Sequence, residues 1–361
     1  MAPGACERQG DVAKRNGGSY DWRVNDEAVL EELLSRPPRA VVEAMGALAG
    51  DLVVLGASGK MGPSLARMAL RASREAGTSR RVIAVARFGD PAVGAELERH
   101  GVETVACDLL DAAAVAELPE APNVIYMVGR KFGATADQPL TWATNVAAAA
   151  LAAVRYRRAR IVAFSTGNVY PLTPVDGGGP RENDPVGPVG EYAQSALGRE
   201  RVLEHFCARH ATPMCILRLN YANEPRYGVL RDIADRVLAG EPIDLAMGYV
   251  NLIWQTDANA IALRCLALCS VPPLVLNVTG PETVKVRDIA ERFGNLMHRT
   301  PRFRGTESDT ALLSNAAACR ARFGEPETSL DQMIELVARW VLDGGRALGR
   351  PTHFEEREGR F

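Results

Sequence analysis

Residues 51–66 read DLVVLGASGKMGPSLA. Leu52 to Leu55 are four consecutive apolar residues, the composition of a parallel strand buried on both faces. They run directly into Gly56, Gly59 and Gly62, spaced G-x-x-G-x-x-G, and then into a helical segment from Pro63 to Arg71. Proline suits a first helical turn, where its missing N–H would have no partner. A strand, a glycine turn and a helix start, in that order, make an anion site. N–H groups at the helix N-terminus point at a phosphate, and the glycines let it come close. The stretch therefore predicts a dinucleotide-binding unit, with Gly56, Ser58, Gly59, Lys60, Met61 and Gly62 as phosphate contacts.

Length and composition set the frame around that unit. At 361 residues there is room for two compact units, or one large domain with a lobe. Hydrophobic residues make up 47% and charged residues 24%, which suits a globule with a sizeable core. A formal net charge of −2 gives no electrostatic argument for nucleic acid or an anionic membrane. The seven cysteines are odd in number and scattered, so no disulfide framework is expected. Cys265 and Cys269 read instead as one face of a buried helix. The five histidines show no ligand spacing, and no metal is expected. With no apolar opening signal and no apolar run of about 18 residues, the expected location is cytoplasmic. Lysine is scarce: Lys14, Lys60, Lys131 and Lys285 are the only four, and arginine carries the remaining positive charge.

In chain order, Met1 to Tyr20 is polar, glycine-rich and expected to be disordered. Asn25-Asp26 caps a short helix over Glu27 to Ser35, ended by Pro37-Pro38. Arg39 to Leu48 forms a second, and both are expected on the outside. Arg81 to Ala86 is the second strand. A carboxylate at its end would accept hydrogen bonds from a ribose 2′-hydroxyl; this chain has Arg87 there and no carboxylate until Asp90. Arg87 can hold a 2′-phosphate bidentately, with Lys60 as a second positive charge, so NADP(H) is expected ahead of NAD(H). A surface ion pair is the other reading of Arg87. Val102 to Ala106 is the third strand, leading to Asp108 and Leu109, which either meet an adenine or form a plain turn.

Asn123 to Val128 is the fourth strand, followed by Gly129, Arg130 and Lys131. Thr141 to Val154 is a small-residue helix, too short to span a membrane. Arg160 to Phe164 is the fifth strand, leading into Ser165-Thr166-Gly167-Asn168-Val169-Tyr170-Pro171, and Met214 to Leu219 is the sixth. This alternation predicts an α/β fold, a Rossmann-type doubly wound parallel sheet whose ligand site lies at the C-terminal strand ends. Residues 1–50 form an N-terminal extension, 51–215 mainly the dinucleotide domain, and 216–361 mainly a smaller C-terminal substrate lobe. The charged tail, Thr352 to Phe361, is expected to dock loosely or stay mobile.

Four landmarks in order resemble the extended short-chain dehydrogenase/reductases, the NAD-dependent epimerase/dehydratase family, over roughly 52–340. They are the glycine turn, VIYMVGRKFG, FSTGNVYP, and Pro188-Val-Gly-Glu-Tyr192 leading into a helix. The resemblance implies that Val128, Gly129 and Lys131 contact the cofactor, with Lys131 on its pyrophosphate. It places the catalytic hydroxyl on Thr166 and a structural carboxylate on Asp257 in WQTDANAIA. Lys285 to Phe293 and Leu313 to Phe323 resemble the family's C-terminal helices. Members often dimerise through helices that here carry Asn145 and Tyr192, so a homodimer is expected.

The chain departs from the family at its signature, Tyr-x-x-x-Lys, which here reads Tyr192-Ala-Gln-Ser-Ala196. Positions i and i+4 share a helix face, so lysine there would stabilise the tyrosine phenolate. A cation worth ~2 pKa units changes the base form of a tyrosine roughly 100-fold at neutral pH. Arg199, two turns on, is expected to be solvated, and Lys131 to serve phosphate. Arg218-Leu219-Asn220 also carries its asparagine one residue earlier than the family's R-x-x-N, so the NEPRYG loop need not shape a nucleotide-sugar site. Asn168, Asn220, Arg226 and Tyr227, with Tyr249 and Asn251, are candidates to line a substrate pocket or to pack loops.

The resemblance implies an NAD(P)-binding epimerase/dehydratase-like enzyme acting on a small hydroxylated or carbonyl substrate, sugar-like or a specialised metabolite. Tyr192 would be general acid/base, and Thr166 would orient the substrate oxygen. The missing lysine keeps two alternatives open: a non-redox isomerase, dehydratase or cyclase, and a binding protein that senses NADP(H) without turnover.

Overall fold

Seven strands form one parallel sheet: Leu52–Leu55 (β1), Val82–Ala86 (β2), Glu103–Ala106 (β3), Asn123–Tyr126 (β4), Arg160–Thr166 (β5), Met214–Leu219 (β6) and Leu274–Val278 (β7). The structure is a computed structural model and describes residues 26–361. In space the strands lie in the order β3-β2-β1-β4-β5-β6-β7. Every neighbouring pair is parallel. β1, β2 and β4 are buried on both faces, as their apolar runs require. The order reverses between β1 and β4, which opens a crevice at their C-terminal ends, where open α/β sheets bind ligands.

The expected fold is present, with corrections in its parts. β7 is not among the strands read from the sequence. It is an edge strand paired only with β6, and it carries a buried Asn277 whose side chain accepts from the Tyr170 hydroxyl and donates to the Pro180 carbonyl. A polar residue as the fourth of its five positions hides it from a search for apolar runs. The helix expected over 141–154 is broken into Gln138–Trp142, a π turn at Ala143–Ala147 and Ala148–Arg155. The π turn swings Asn145 inward. There its amide donates to Arg130 O (3.1 Å) and Ser195 Oγ (2.8 Å) and accepts from Arg130 N–H (2.7 Å). Local π geometry often marks functional regions, and this one joins the loop after β4 to the helix that carries Tyr192. Cys265 ends the helix Gln255–Cys265, while Cys269 lies beyond it.

The short helices Glu27–Leu34 and Arg39–Ala47 form as expected, the first capped by the Asp26 carboxylate. They are not merely external. Leu30 and Leu34 are fully buried in a second core with Ile233, Phe293 and Trp340, and Val41 and Met45 pack into the core of the main sheet. That second core is built from the helices Val229–Ala239, Val286–Met297 and Leu330–Leu342. The last helix carries a capping box from Ser329 and Gln332. The expected helix at 313–323 begins only at Ala317, because Leu313 and Ser314 are pinned in an extended segment, where Ser314 N–H meets the Asn251 side chain. Asp257 is structural: its carboxylate accepts the N–H groups of Glu327 and Thr328, and burial raises its pKa to about 6. Among the described residues no helix is long and apolar enough to cross a membrane. The expectation of disorder at Met1 to Tyr20 lies outside the described residues.

Candidate active site

The glycine loop sits at the open end of β1. Gly56 has φ +84° and touches the chain after β4, so that an added Cβ would lie 3.0 Å from Val128 N. Gly62 opens the helix Gly62–Glu75, and a Cβ there would collide with the Ala57 carbonyl. Both glycines are therefore demanded by close backbone approach. Ser58 and Gly59 are exposed above them. A short exposed loop ending on a 14-residue helix is a cradle that fits a pyrophosphate. On the β2–β3 side, Arg87 is exposed at the end of β2, with no ion-pair partner within 4 Å among the described residues. Asp108 uses one oxygen to accept Leu110 N–H and is otherwise exposed, whereas Leu109 is buried in the core.

On the other side of the crevice is a cavity of about 180 Å³. Thr166 and Ser165 reach it from the end of β5, Asn168 from the turn beyond, and Tyr192 from the first turn of the helix Gly190–His210. Thr166 Oγ1 accepts the Asn168 backbone N–H (3.2 Å) and side-chain amide (3.1 Å). Behind this front lies a buried ion pair. Arg218 donates to both oxygens of Glu200 (Nε to Oε1 3.1 Å, Nη2 to Oε2 2.8 Å) and to the Tyr170 hydroxyl (2.7 Å). Glu200 also accepts from the Ser165 hydroxyl. The pair thus anchors the chain at the end of β5 to the Tyr192 helix.

Ala196 occupies the position four residues after Tyr192 where the sequence resemblance implies a lysine. It is fully buried and packs with Val169 and Tyr170. Arg199, expected to be solvated, is also buried. Its Nη1 donates to Val128 O (2.8 Å), which holds it beneath the loop after β4. A helix face turned onto the sheet cannot be solvated; a bare carbonyl takes Nη1, while the buried Nε has no hydrogen-bond partner.

The two lysines read as cofactor contacts are placed differently from expectation. Lys60 sends its side chain toward the end of β6, where Nζ donates to Ala222 O (2.6 Å) and lies 4.0 Å from the centre of the Tyr227 ring. It is therefore well away from Arg87 and supplies no charge at a 2′-phosphate. Part of its stem reaches solvent but the ammonium lies deep, and burial pushes its pKa down to about 7. Arg226 and Lys131 push the same way, against Glu224 and Asp232. Lys131 donates to Thr352 O (2.9 Å) and stands 4.2 Å from the centre of the Phe361 ring. Burial lowers it to about 8, opposed by Asp232 and Glu355.

Those contacts show that the tail is docked, contrary to expectation. Thr352 lines the cavity and gives its N–H and hydroxyl to Asp232. Phe354 is buried in the second core, and Arg357 donates to the carbonyls of Ala246 and Thr310. Gly359, at φ +72°, lies against Gly190 so closely that neither has room for a Cβ. Phe361 exchanges hydrogen bonds with Thr135 and sets its ring against Tyr192. Backbone bonds and glycine contacts do this work, and charge composition does not reveal them.

Of the candidate substrate contacts, Asn168, Asn220 and Tyr227 line the cavity. Burial, with Asp232 and Tyr192 beside it, raises the Tyr227 phenol. Arg226 does not reach the cavity, because it is buried in ion pairs with Glu31 (2.7 Å) and Glu224 (3.1 Å). Asn251 holds the Ser314 segment, and Tyr249 packs against Leu312 and Leu313. Ser165, Tyr221 and Thr352 line the cavity without having been read from the sequence. Tyr221 turns the chain out of β6 at φ +45°, a conformation unusual for a bulky residue; its neighbour Asn220 was the only signal nearby.

Comparison with protein families matches residues 52–246, more than half of the chain, to the description "NAD dependent epimerase/dehydratase family". Among solved structures the fold is similar to UDP-glucose 4-epimerase from Thermotoga maritima with UDP-glucose (TM-score 0.66, 16% identity, covering 81% of this chain and 99% of that one). It is also similar to dTDP-glucose 4,6-dehydratase from Bacillus anthracis in complex with NAD (TM-score 0.69, 16% identity, 81% and 97%). A third is Pal from Bacillus thuringiensis (TM-score 0.68, 16% identity, 81% and 99%). At these identities the likeness is one of fold. No curated protein matches the chain significantly.

Proposed function

The chain belongs to the NAD dependent epimerase/dehydratase family, and we propose that it holds NADP(H), or NAD(H), across the crevice and transforms a small hydroxylated or carbonyl substrate in the adjoining cavity. The observation that carries this reading is the convergence of Thr166, Asn168 and Tyr192 on one cavity beside the glycine loop. The backbone of Gly56, Ser58, Gly59, Lys60, Met61 and Gly62 would hold the phosphates, Val128 and Gly129 the nicotinamide half, and Asp108 the adenine. Arg87, exposed and without an ion-pair partner among the described residues, favours a 2′-phosphate and hence NADP(H). The bound dinucleotide would supply a hydride acceptor or donor at its nicotinamide ring.

Thr166 Oγ1 accepts two N–H groups, which leaves its proton to donate to a substrate oxygen and fix its position. Tyr192 would exchange a proton with that oxygen as general acid/base. No ammonium stands four residues on, where the sequence has Ala196. That supports a second reading, in which Tyr192 acts as an acid in a dehydration, isomerisation or cyclisation without net redox. A homodimer is supported by Leu140, Trp142 and Val154, exposed along the helical segment next to the Tyr192 helix.

The test is turnover of small hydroxylated and carbonyl compounds with saturating NADP(H) or NAD(H), product being followed by mass spectrometry and the nicotinamide by absorbance. Tyr192→Phe and Thr166→Ala should lose product while still binding cofactor; full turnover in both would overturn the reading. Product formed with no transient nicotinamide signal in a single turnover would select the acid-only chemistry.

A further inference from the structure

Two of the four lysines in the chain face the same small cavity. Each ammonium carries three N–H donors, yet each has a single oxygen acceptor, Ala222 O for Lys60 and Thr352 O for Lys131. Their remaining contacts are the ring faces of Tyr227 and Phe361, with Phe132 further off at 5.9 Å from Lys131. The neighbouring acids are engaged elsewhere, apart from Glu355 Oε2, which has no hydrogen-bond partner. Glu224 holds Arg226, Asp232 accepts both donors of Thr352, and Glu355 holds Arg236. Among the described residues no carboxylate lies within 4 Å of either ammonium, whereas arginines across the chain do have such partners. Buried cations are ordinarily paired. A cavity wall with two unpaired ones is complementary to an anion supplied from outside.

The cavity also limits what that anion can be attached to. At about 180 Å³ it is closed on one side by Thr352, and the segment running on to Phe361 ends against Tyr192. We propose that the substrate is a small molecule bearing a compact oxyanion, a carboxylate or a phosphate, seated between Lys60 and Lys131. This rests on the preceding assignment of the cavity as the substrate site. The oxyanion would take the unused ammonium donors, leaving the reacting oxygen for Thr166 and Tyr192.

The experiment uses the protein saturated with NADP(H) or NAD(H), with pyruvate, malonate, inorganic phosphate and UDP-glucose titrated separately by calorimetry. Saturable binding of a carboxylate or of phosphate is expected, and which of the two binds identifies the oxyanion. Lys131→Gln and Lys60→Met should each weaken it by about tenfold or more. Lys60→Gln serves as the second variant should the methionine disturb folding. Dinucleotide affinity should persist in all of them, since the loop meets phosphate through its backbone. The proposal is overturned if no oxyanion binds the wild type, if the variants bind it equally, if UDP-glucose binds more tightly, or if the lysine variants lose the dinucleotide instead. Dinucleotide binding without oxyanion binding removes this proposal alone; absence of dinucleotide binding removes the assignment on which it rests.

Discussion

The ring of Phe361 meets that of Tyr192 edge to face, with centres 5.8 Å apart and planes at 84°. The tail of the chain thereby rests on the residue assigned as acid/base, and holds Lys131 between Thr352 O and the same phenyl ring. An aromatic edge contact of this kind is worth about 0.5–1.5 kcal/mol. Phe361→Ala should therefore loosen the tail with little change in global stability. Trypsin should then cleave at Arg357 and Arg360 faster than in the wild type, and KM should rise more than kcat falls. Unchanged cleavage and unchanged KM would show that the tail does not close the cavity.

Placing a lysine four residues after Tyr192 should not raise turnover. The Ala196 side chain is fully buried with Val169 and Tyr170 and does not line the cavity. Ala196→Lys must overpack that site, at a cost of about 1–3 kcal/mol, and bury a charge besides. The expected result is a lower urea midpoint and no gain in turnover. A gain in turnover at undiminished stability would mean that the side chain escapes into the cavity.

Lys60 gives the stability a definite pH dependence. Its pKa is about 7 in the folded chain, below the ordinary 10.5. Below pH 7 both folded and unfolded states carry the proton, and the folded state bears the full cost of a buried ammonium. Between 7 and 10.5 the unfolded state binds more protons, so stability rises with pH across that window. Above it the cost is gone. The groups facing this ammonium are Glu224, Asp232, Arg226, Lys131 and Tyr227, of which Lys131 titrates in an overlapping range, near 8. Denaturation without ligand from pH 6.5 to 9.5 should show wild-type stability gaining on that of Lys60→Met. Parallel curves would contradict the assignment.

Arg87 sets the expected cofactor choice. An exposed charge pair contributes up to about 1 kcal/mol, so Arg87→Ala should lower affinity for NADPH by roughly fivefold. Affinity for NADH should change little. Equal effects on both, or none, would return Arg87 to a surface role.

What could be read from the sequence divides along physical lines. The Gly56–Gly62 loop, the buried strands and the Thr166 turn are local patterns, each set by its own few residues. Where the two lysine side chains lead is not local. Lys60 is drawn to a carbonyl that follows β6, and Lys131 to one some 220 residues further along the chain. Sequence neighbours assign both to phosphate, and only the folded lobe turns them to the cavity. The π turn at Asn145 escapes notice because an alanine-rich helix looks the same with or without it. Asn277 hides β7 for the converse reason, as a polar residue satisfied by partners from distant loops.

The most direct test of the account is an equilibrium titration of wild type and Gly62→Val with NADPH and NADH, read by nicotinamide fluorescence. In the variant the new side chain would collide with the Ala57 carbonyl and displace the loop, and circular dichroism would confirm an intact sheet. Saturable binding to the wild type, tighter for NADPH, is expected, and its loss in Gly62→Val. No saturable binding of either dinucleotide to the wild type, or equal binding by the variant, would contradict it.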